Sequence, residues 1–348
     1  MRKRDIAGKI RSTIRKSDKI DYMVSCFERR NEERFRLFAR EQSTDTIVLE
    51  VPADCKRERK ELVYYIRSGN PFSGFGAELR RTLDALFFAD FYGFIPVVEY
   101  THDYIYSERT KVNGVSNPYE YYFRQPAGVS VSQAGQSVHV FFREEHRELV
   151  RRLLHAPCTD SPYHLSEAYL RVLGKTAEKY LHLNAAQEEY MQRSFEEIEL
   201  HQTRVIGVHY RGTDFQYGYK RHPKMLKLND YYGAIDGLMD QSQEECRIFL
   251  ATDEEKAIGL FKERYGDRVI YFPDAYRSEN GEPVHFSKDS RRLHNYRLGM
   301  EILRDMTALS RCDYLVSGLS QVSFCARIFK YSHDSEYMDK VILNNGIN

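Results

Sequence analysis

The chain has 348 residues, and 52 Lys and Arg stand against 51 Asp and Glu, so a formal charge of +1 gives no global field to draw it to nucleic acid. That length allows two domains with substantial cores, and no run of about eighteen apolar residues is present to span a membrane as a helix. Cys26, Cys55, Cys158, Cys246, Cys312 and Cys325 are scattered with no Cys-x-x-Cys, which suits a reducing compartment and argues against a disulfide framework or a zinc site.

Residues 1–45 are rich in Arg, Lys and Glu. Ile10, Ile14, Ile20, Met23, Phe27, Phe35 and Phe38 recur there at roughly helical spacing, so extra N-terminal amphipathic helices are expected. No apolar h-region follows the basic start, so no secretory signal is expected and a cytoplasmic location follows. The basic face has two readings: the solvated side of a helix packed on the main body, or a peripheral contact with an anionic inner membrane face.

Residues 46–51 and 62–66 read as short strands. The turn at 70–76, with Gly74, Phe75 and Gly76, leads into a helix over 77–92 that carries Leu79, Leu83, Leu86 and Phe87 on one face. A strand at 94–100 returns. This strand–turn–helix–strand unit is how a doubly wound domain opens. Residues 101–135 are loop-rich and aromatic, and helical patterns follow at 142–154 and 162–200, broken near 179–184.

From about 202 strand and helix alternate: strands at 204–210, 247–251, 269–272 and 314–316, with helices near 231–239, 252–265, 293–309 and 320–329. A polar loop spans 274–290, and 331–348 reads as a terminal helix. Repeated βα units of this length predict a parallel sheet covered on both faces.

The strand at 204–210 ends among His209, Arg211, Thr213 and Asp214. Ligands of open α/β sheets bind just beyond the carboxyl ends of strands. A guanidinium at that place offers a permanently charged fork of donors to a phosphate. A stabilising Arg211–Asp214 pair is the plainer alternative on spacing alone.

Four stretches in order resemble the α1,6-fucosyltransferase family, which comprises the core N-glycan and rhizobial nodulation enzymes. His209-Tyr210-Arg211-Gly212-Thr213-Asp214 is similar to its His-x-Arg-Arg-x-Asp signature. The others are Ile248 to Glu254, Asp305 to Val322, and the glycine turn from Gly74 to Arg81. The likeness is continuous over roughly 204–330. It implies a GT-B fold, with two Rossmann-like doubly wound domains facing across a cleft. A basic helical segment over 1–45, an acceptor-side domain over 46–200 and a nucleotide-sugar domain over 201–348 follow from it.

The activity implied is inverting, metal-independent transfer of fucose from GDP-fucose, α1,6-type, to a glycan or glycolipid acceptor met in the cytosol. The resemblance assigns Arg211 and the Ser320–Gln321 turn to the leaving diphosphate, and His209 and Asp305 to the guanosine side. Asp253 matches a family carboxylate, and Gly74, Phe75 and Gly76 match the glycine turn. The chain has no Asp-x-Asp of the kind metal-using glycosyltransferases present, so no metal or other cofactor is expected.

Two positions depart from the pattern. Gly212 stands where the family has its second arginine, so that contact is either missing or supplied elsewhere, with Arg80 and Arg297 as candidates. The segment 215–221 lacks the family's suggested glutamate base, which leaves Asp214 and Glu78 as candidates. Those losses keep a second reading open, a non-catalytic nucleotide-sugar binder of the same fold. A Walker-type NTPase is excluded because Gly-x-x-x-x-Gly-Lys-Ser/Thr is missing.

Overall fold

The computed structural model describes residues 63–135, 140–142, 163, 165–200, 203–213, 222–242 and 244–348. The basic segment 1–45, the strand expected at 46–51 and all but the first residue of the helix expected at 142–154 lie outside them. So do Asp214 and 215–221.

The first half is built on β1 (Val63–Ser68), α1 (Phe75–Tyr92), β2 (Ile95–Tyr100), the short α2 (Val131–Ala134) and β3 (Val140–Phe142). β1 lies between β2 and β3 and is parallel to both. Helix α1 buries Leu79, Leu83, Leu86 and Phe87, the stripe expected from its spacing. Helices α3 (Glu167–Tyr180) and α4 (Ala185–Glu197) follow. The break between them is set by Asn184, whose side chain caps α4 by accepting the Gln187 N–H at 3.1 Å.

The second half contains β4 (Arg204–Tyr210), α5 (Leu228–Gln241), β5 (Cys246–Thr252), α6 (Glu255–Tyr265) and β6 (Val269–Ile270). It closes with α7 (His294–Arg311), β7 (Tyr314–Gly318), α8 (Gln321–Ser332) and β8 (Asp339–Leu343). The five strands are all parallel, in the order β6-β5-β4-β7-β8. The chain winds outward from β4 to β6, then crosses back to β7, so the strand order reverses between β4 and β7. Ile206, Val208, Ile248, Phe249, Leu250, Leu315 and Val316 are buried, as strands covered on both faces require.

The terminal helix expected over 331–348 is corrected. Only its start belongs to α8, and Asp339–Leu343 is instead an edge strand paired along the whole of β7. Val341 and Ile342 are β-branched and suit that place. Helix α6 also starts later than expected, at Glu255, which leaves Asp253 and Glu254 in the turn before it.

The two halves share one core, running from Tyr64 of β1 through α1, α3, α7 and α8 to Tyr337. One close approach between them is at Gly76. A Cβ there would lie 3.0 Å from the backbone carbon and oxygen of Gln321, so the first turns of α1 and α8 meet more tightly than a side chain at this position readily allows. Glu167 of α3 docks on α8 by accepting from Arg327 and from the Tyr331 hydroxyl at 2.7 Å. Two parallel α/β halves joined in this way are the architecture that the sequence resemblance implies.

Candidate functional site

Each sheet has its switch point at the carboxyl ends of its strands, and both open on one cavity of about 550 Å³. One wall carries the turn before α1 and the residues 74–77. The other carries His209, Arg211, Thr252 and Asp253 at the ends of β4 and β5, with Glu301 and Asp305 on α7. Gln321 lines it where the halves touch. Most of the donor residues expected from the sequence are therefore brought together.

His209 is the next-to-last residue of β4, and Arg211 follows the strand, half-buried. The loop that holds Arg211 is organised by Asp253. One carboxylate oxygen accepts the Gly212 N–H at 3.0 Å, and the other accepts the Thr213 hydroxyl at 2.6 Å. Asp253 thus reaches the cavity wall as the anchor of this loop. Gly212, which replaces the second arginine, lies beneath Glu254: a Cβ at Gly212 would sit 2.1 Å from a Glu254 carboxylate oxygen. Burial first, and Asp253 second, push the Glu254 carboxyl above its ordinary range.

Ser320 does not line the main cavity. Its buried hydroxyl caps α8 by accepting the Ser323 N–H at 3.0 Å and lies 3.1 Å from His209 Nδ1. Ser320 therefore fixes the helix start and the imidazole, while Gln321 presents the helix end to the cavity. The start of α1 has no side-chain cap. Its first-turn residues Phe75, Gly76 and Ala77 line the same space, and a helix start carries free amides and the positive end of the helix dipole. Phe75 itself is mostly core, packed edge-on against Tyr106 and Tyr122 at centroid distances of 5.6 and 5.0 Å.

Asp305 projects from α7 and accepts no hydrogen bond among the described residues. Burial pushes its carboxyl up to about 7, against the pull of Arg304 and Arg277 and with the push of Glu301 and Asp274. One turn earlier, Glu301 is clamped by Arg291, whose Nη1 and Nη2 donate at 2.5 and 3.1 Å, and it accepts the Tyr276 N–H at 3.2 Å. From its sequence this neighbourhood reads as a polar loop with no regular period. It is a wall of the site: Tyr276, Val284, His285 and Phe286 line the cavity. The signal was aromatic residues placed just beyond the end of a sheet strand.

Glu78 is not a cavity residue. Its carboxylate accepts from the Ser68 hydroxyl, the Gly69 N–H at 3.1 Å and Arg81 Nη1 at 2.8 Å, so it fastens α1 to the end of β1. Asp214, the other candidate base, lies outside the described residues. Arg297 is exposed and away from the cavity, whereas Arg80 lines it. In the aromatic segment 117–123, Tyr119, Tyr121, Tyr122 and Phe123 are buried in the core. Among the described residues no group of three or more His, Cys, Asp or Glu is placed to hold a metal ion, and no helix is long and apolar enough to cross a membrane.

No family model and no curated protein matches the chain. Among solved structures it is similar to the NodZ α-1,6-fucosyltransferase soaked with GDP-fucose, at 18% identity and a TM-score of 0.47 over 78% of this chain and 93% of that one. A NodZ structure from Bradyrhizobium gives 16%, 0.46, 79% and 93%. POFUT1 in complex with GDP gives 11% and 0.43, over 82% of this chain and 99% of that one. At these identities the likeness concerns the fold alone.

Proposed function

We propose that the protein is a glycosyltransferase that moves fucose from GDP-fucose to a hydroxyl of a glycan or glycolipid, without a metal and with inversion. The proposed linkage is α1,6-type. In this reading residues 201–348 hold the nucleotide-sugar and 46–200 face the acceptor. The observation that carries it is the position of Arg211, at the strand-order reversal between β4 and β7. It shares one cavity with the uncapped start of α1 and with the carboxylate of Asp305, which accepts no hydrogen bond among the described residues.

Each part has a physical role. Asp305, when ionised, accepts the paired N–H groups of a guanine edge. The bond between fucose C1 and the β-phosphate oxygen breaks with its electron pair going to the diphosphate. The Arg211 fork and the first-turn amides of α1 meet that growing charge as fixed donors. The acceptor oxygen bonds to C1 from the opposite face and its proton passes to a base.

Thermal-shift titration tests the donor: GDP should raise the melting temperature more than UDP, CMP or ADP at equal concentration. A preference for UDP would exclude the fucosyl reading. Slow release of fucose from GDP-fucose in excess EDTA should follow. One observation favours a non-catalytic binder instead, namely that Glu78 is engaged away from the cavity. Under that reading GDP-fucose stays intact.

A further inference from the structure

The family's second arginine is Gly212 here, and the space above it is filled by the carboxylate of Glu254. A diphosphate that meets Arg211 alone would be short of one cation. We infer that Arg80, from the opposite half of the molecule, is a second diphosphate-binding residue of this site and replaces the missing arginine. The inference rests on the nucleotide-sugar reading above.

Arg80 lies on the first turns of α1, is only 6% exposed and lines the cavity. Its Nε donates to Gln321 Oε1 at 2.9 Å. Its Nη1 donates to the Tyr169 hydroxyl at 2.8 Å and to Asp84 at 3.3 Å. The third nitrogen, Nη2, has no acceptor among the described residues, yet it is not among the sealed, unsatisfied polar atoms of the interior. A guanidinium held at two nitrogens and open at the third, in a cavity wall, is a preorganised donor for an anion.

The surrounding charges agree. Asp84 is shared between Arg80 and the Tyr169 hydroxyl, which donates to it at 2.5 Å. Glu78 is taken up by Arg81 and by β1. The starts of α1 and α8, which meet at Gly76, add two positive dipole ends beside Arg80. Arg80 is also the residue whose bond to Gln321 joins the two halves at this point, so phosphate and inter-half contact share one side chain.

Affinities for GDP and GMP, measured on wild type and variants, test this. Arg80→Gln alone leaves Asp84 short of its cation and threatens the fold. Arg80→Gln combined with Asp84→Asn keeps that corner neutral and hydrogen-bonded to Tyr169. The folded double variant should bind GDP about ten- to a hundredfold more weakly, the range of one charge-assisted hydrogen bond, with GMP affinity nearly unchanged. Arg80→Lys should fall between it and wild type. An unaltered GDP-to-GMP ratio in the folded double variant would make Arg80 purely structural and overturn the inference while leaving the donor reading standing. A wild type that prefers UDP would defeat the guanine reading, and the same loss of diphosphate preference for UDP over UMP would still support Arg80. A wild type that binds none of these nucleotides would overturn both.

Discussion

The carboxylate of Asp253 holds the backbone N–H of Gly212 at 3.0 Å, so the turn that carries Arg211 out of β4 is tied to the end of β5. The hydroxyl of Thr213 completes the clamp at 2.6 Å on the second oxygen. Asp253 is thus a brace for the loop that follows β4, and the position of Arg211 is borrowed from a neighbouring strand.

Asp253→Ala removes the acceptor for both donors. Leaving buried donors unmet costs roughly 1–3 kcal/mol, so the melting temperature should fall. The folded fraction should also lose catalytic rate, because Arg211 is no longer held. Asp253→Asn keeps one acceptor and should lie between. Melting curves and kcat on both variants check this, and an Asp253→Ala that keeps full rate would show that the brace is dispensable.

Asp305 predicts a pH dependence with two opposite signs. Its carboxyl titrates at about 7 in the folded protein, against about 3.9 in an unfolded chain. Between those values the folded protein keeps a proton that the unfolded chain has released. Its contribution to stability therefore declines as pH rises from about 4 to about 7 and is level above. GDP binding needs the ionised form, so affinity should weaken below pH 7, by up to about tenfold per pH unit, and be flat above it. GDP titrations across this range should show the bend in wild type and none in Asp305→Asn.

Gly74 and Gly76, two residues apart, should respond oppositely to substitution. A Cβ at Gly76 presses on the backbone of Gln321, which cannot swing aside, so Gly76→Ala should destabilise by about 1–3 kcal/mol. Gly74 has nothing within 4 Å of a Cβ and an ordinary extended backbone at φ −61°. Gly74→Ser supplies the missing cap and should hold or raise the melting temperature. The same cap competes for the amides facing the cavity, so it should weaken GDP binding. Paired melting and affinity measurements distinguish the two glycines.

The alternating strands and helices of the second half were legible because fully covered parallel strands leave continuous apolar runs such as 248–251. The exit of β4 was legible as a site because polar functional groups crowd one strand end. What stayed hidden depends on partners distant in the chain. The stretch that forms β8 does not read as a strand because its pairing with β7 is long-range and the local run is only five residues. Glu78 and Asp253 have the side chains of a base and a ligand, and only their hydrogen-bond partners make them braces. The clamp of Arg291 on Glu301, which fastens Tyr276 and its loop into a cavity wall, has no periodicity to betray it. The open nitrogen of Arg80 likewise appears only once Gln321, Tyr169 and Asp84 have claimed the others.

Arg211→Lys tests the central claim most directly. Lysine keeps the charge but loses the planar fork, so it separates a transition-state donor from a structural cation. If Arg211 meets the leaving diphosphate, kcat should fall by about 10²–10³ because the contact strengthens as charge develops. GDP affinity should change far less, and the melting temperature should hold. Measuring kcat, GDP affinity and melting temperature on this one variant decides the matter. A stable, GDP-binding and nearly inactive Arg211→Lys is the result predicted, and a destabilised variant whose folded fraction keeps full activity would contradict it.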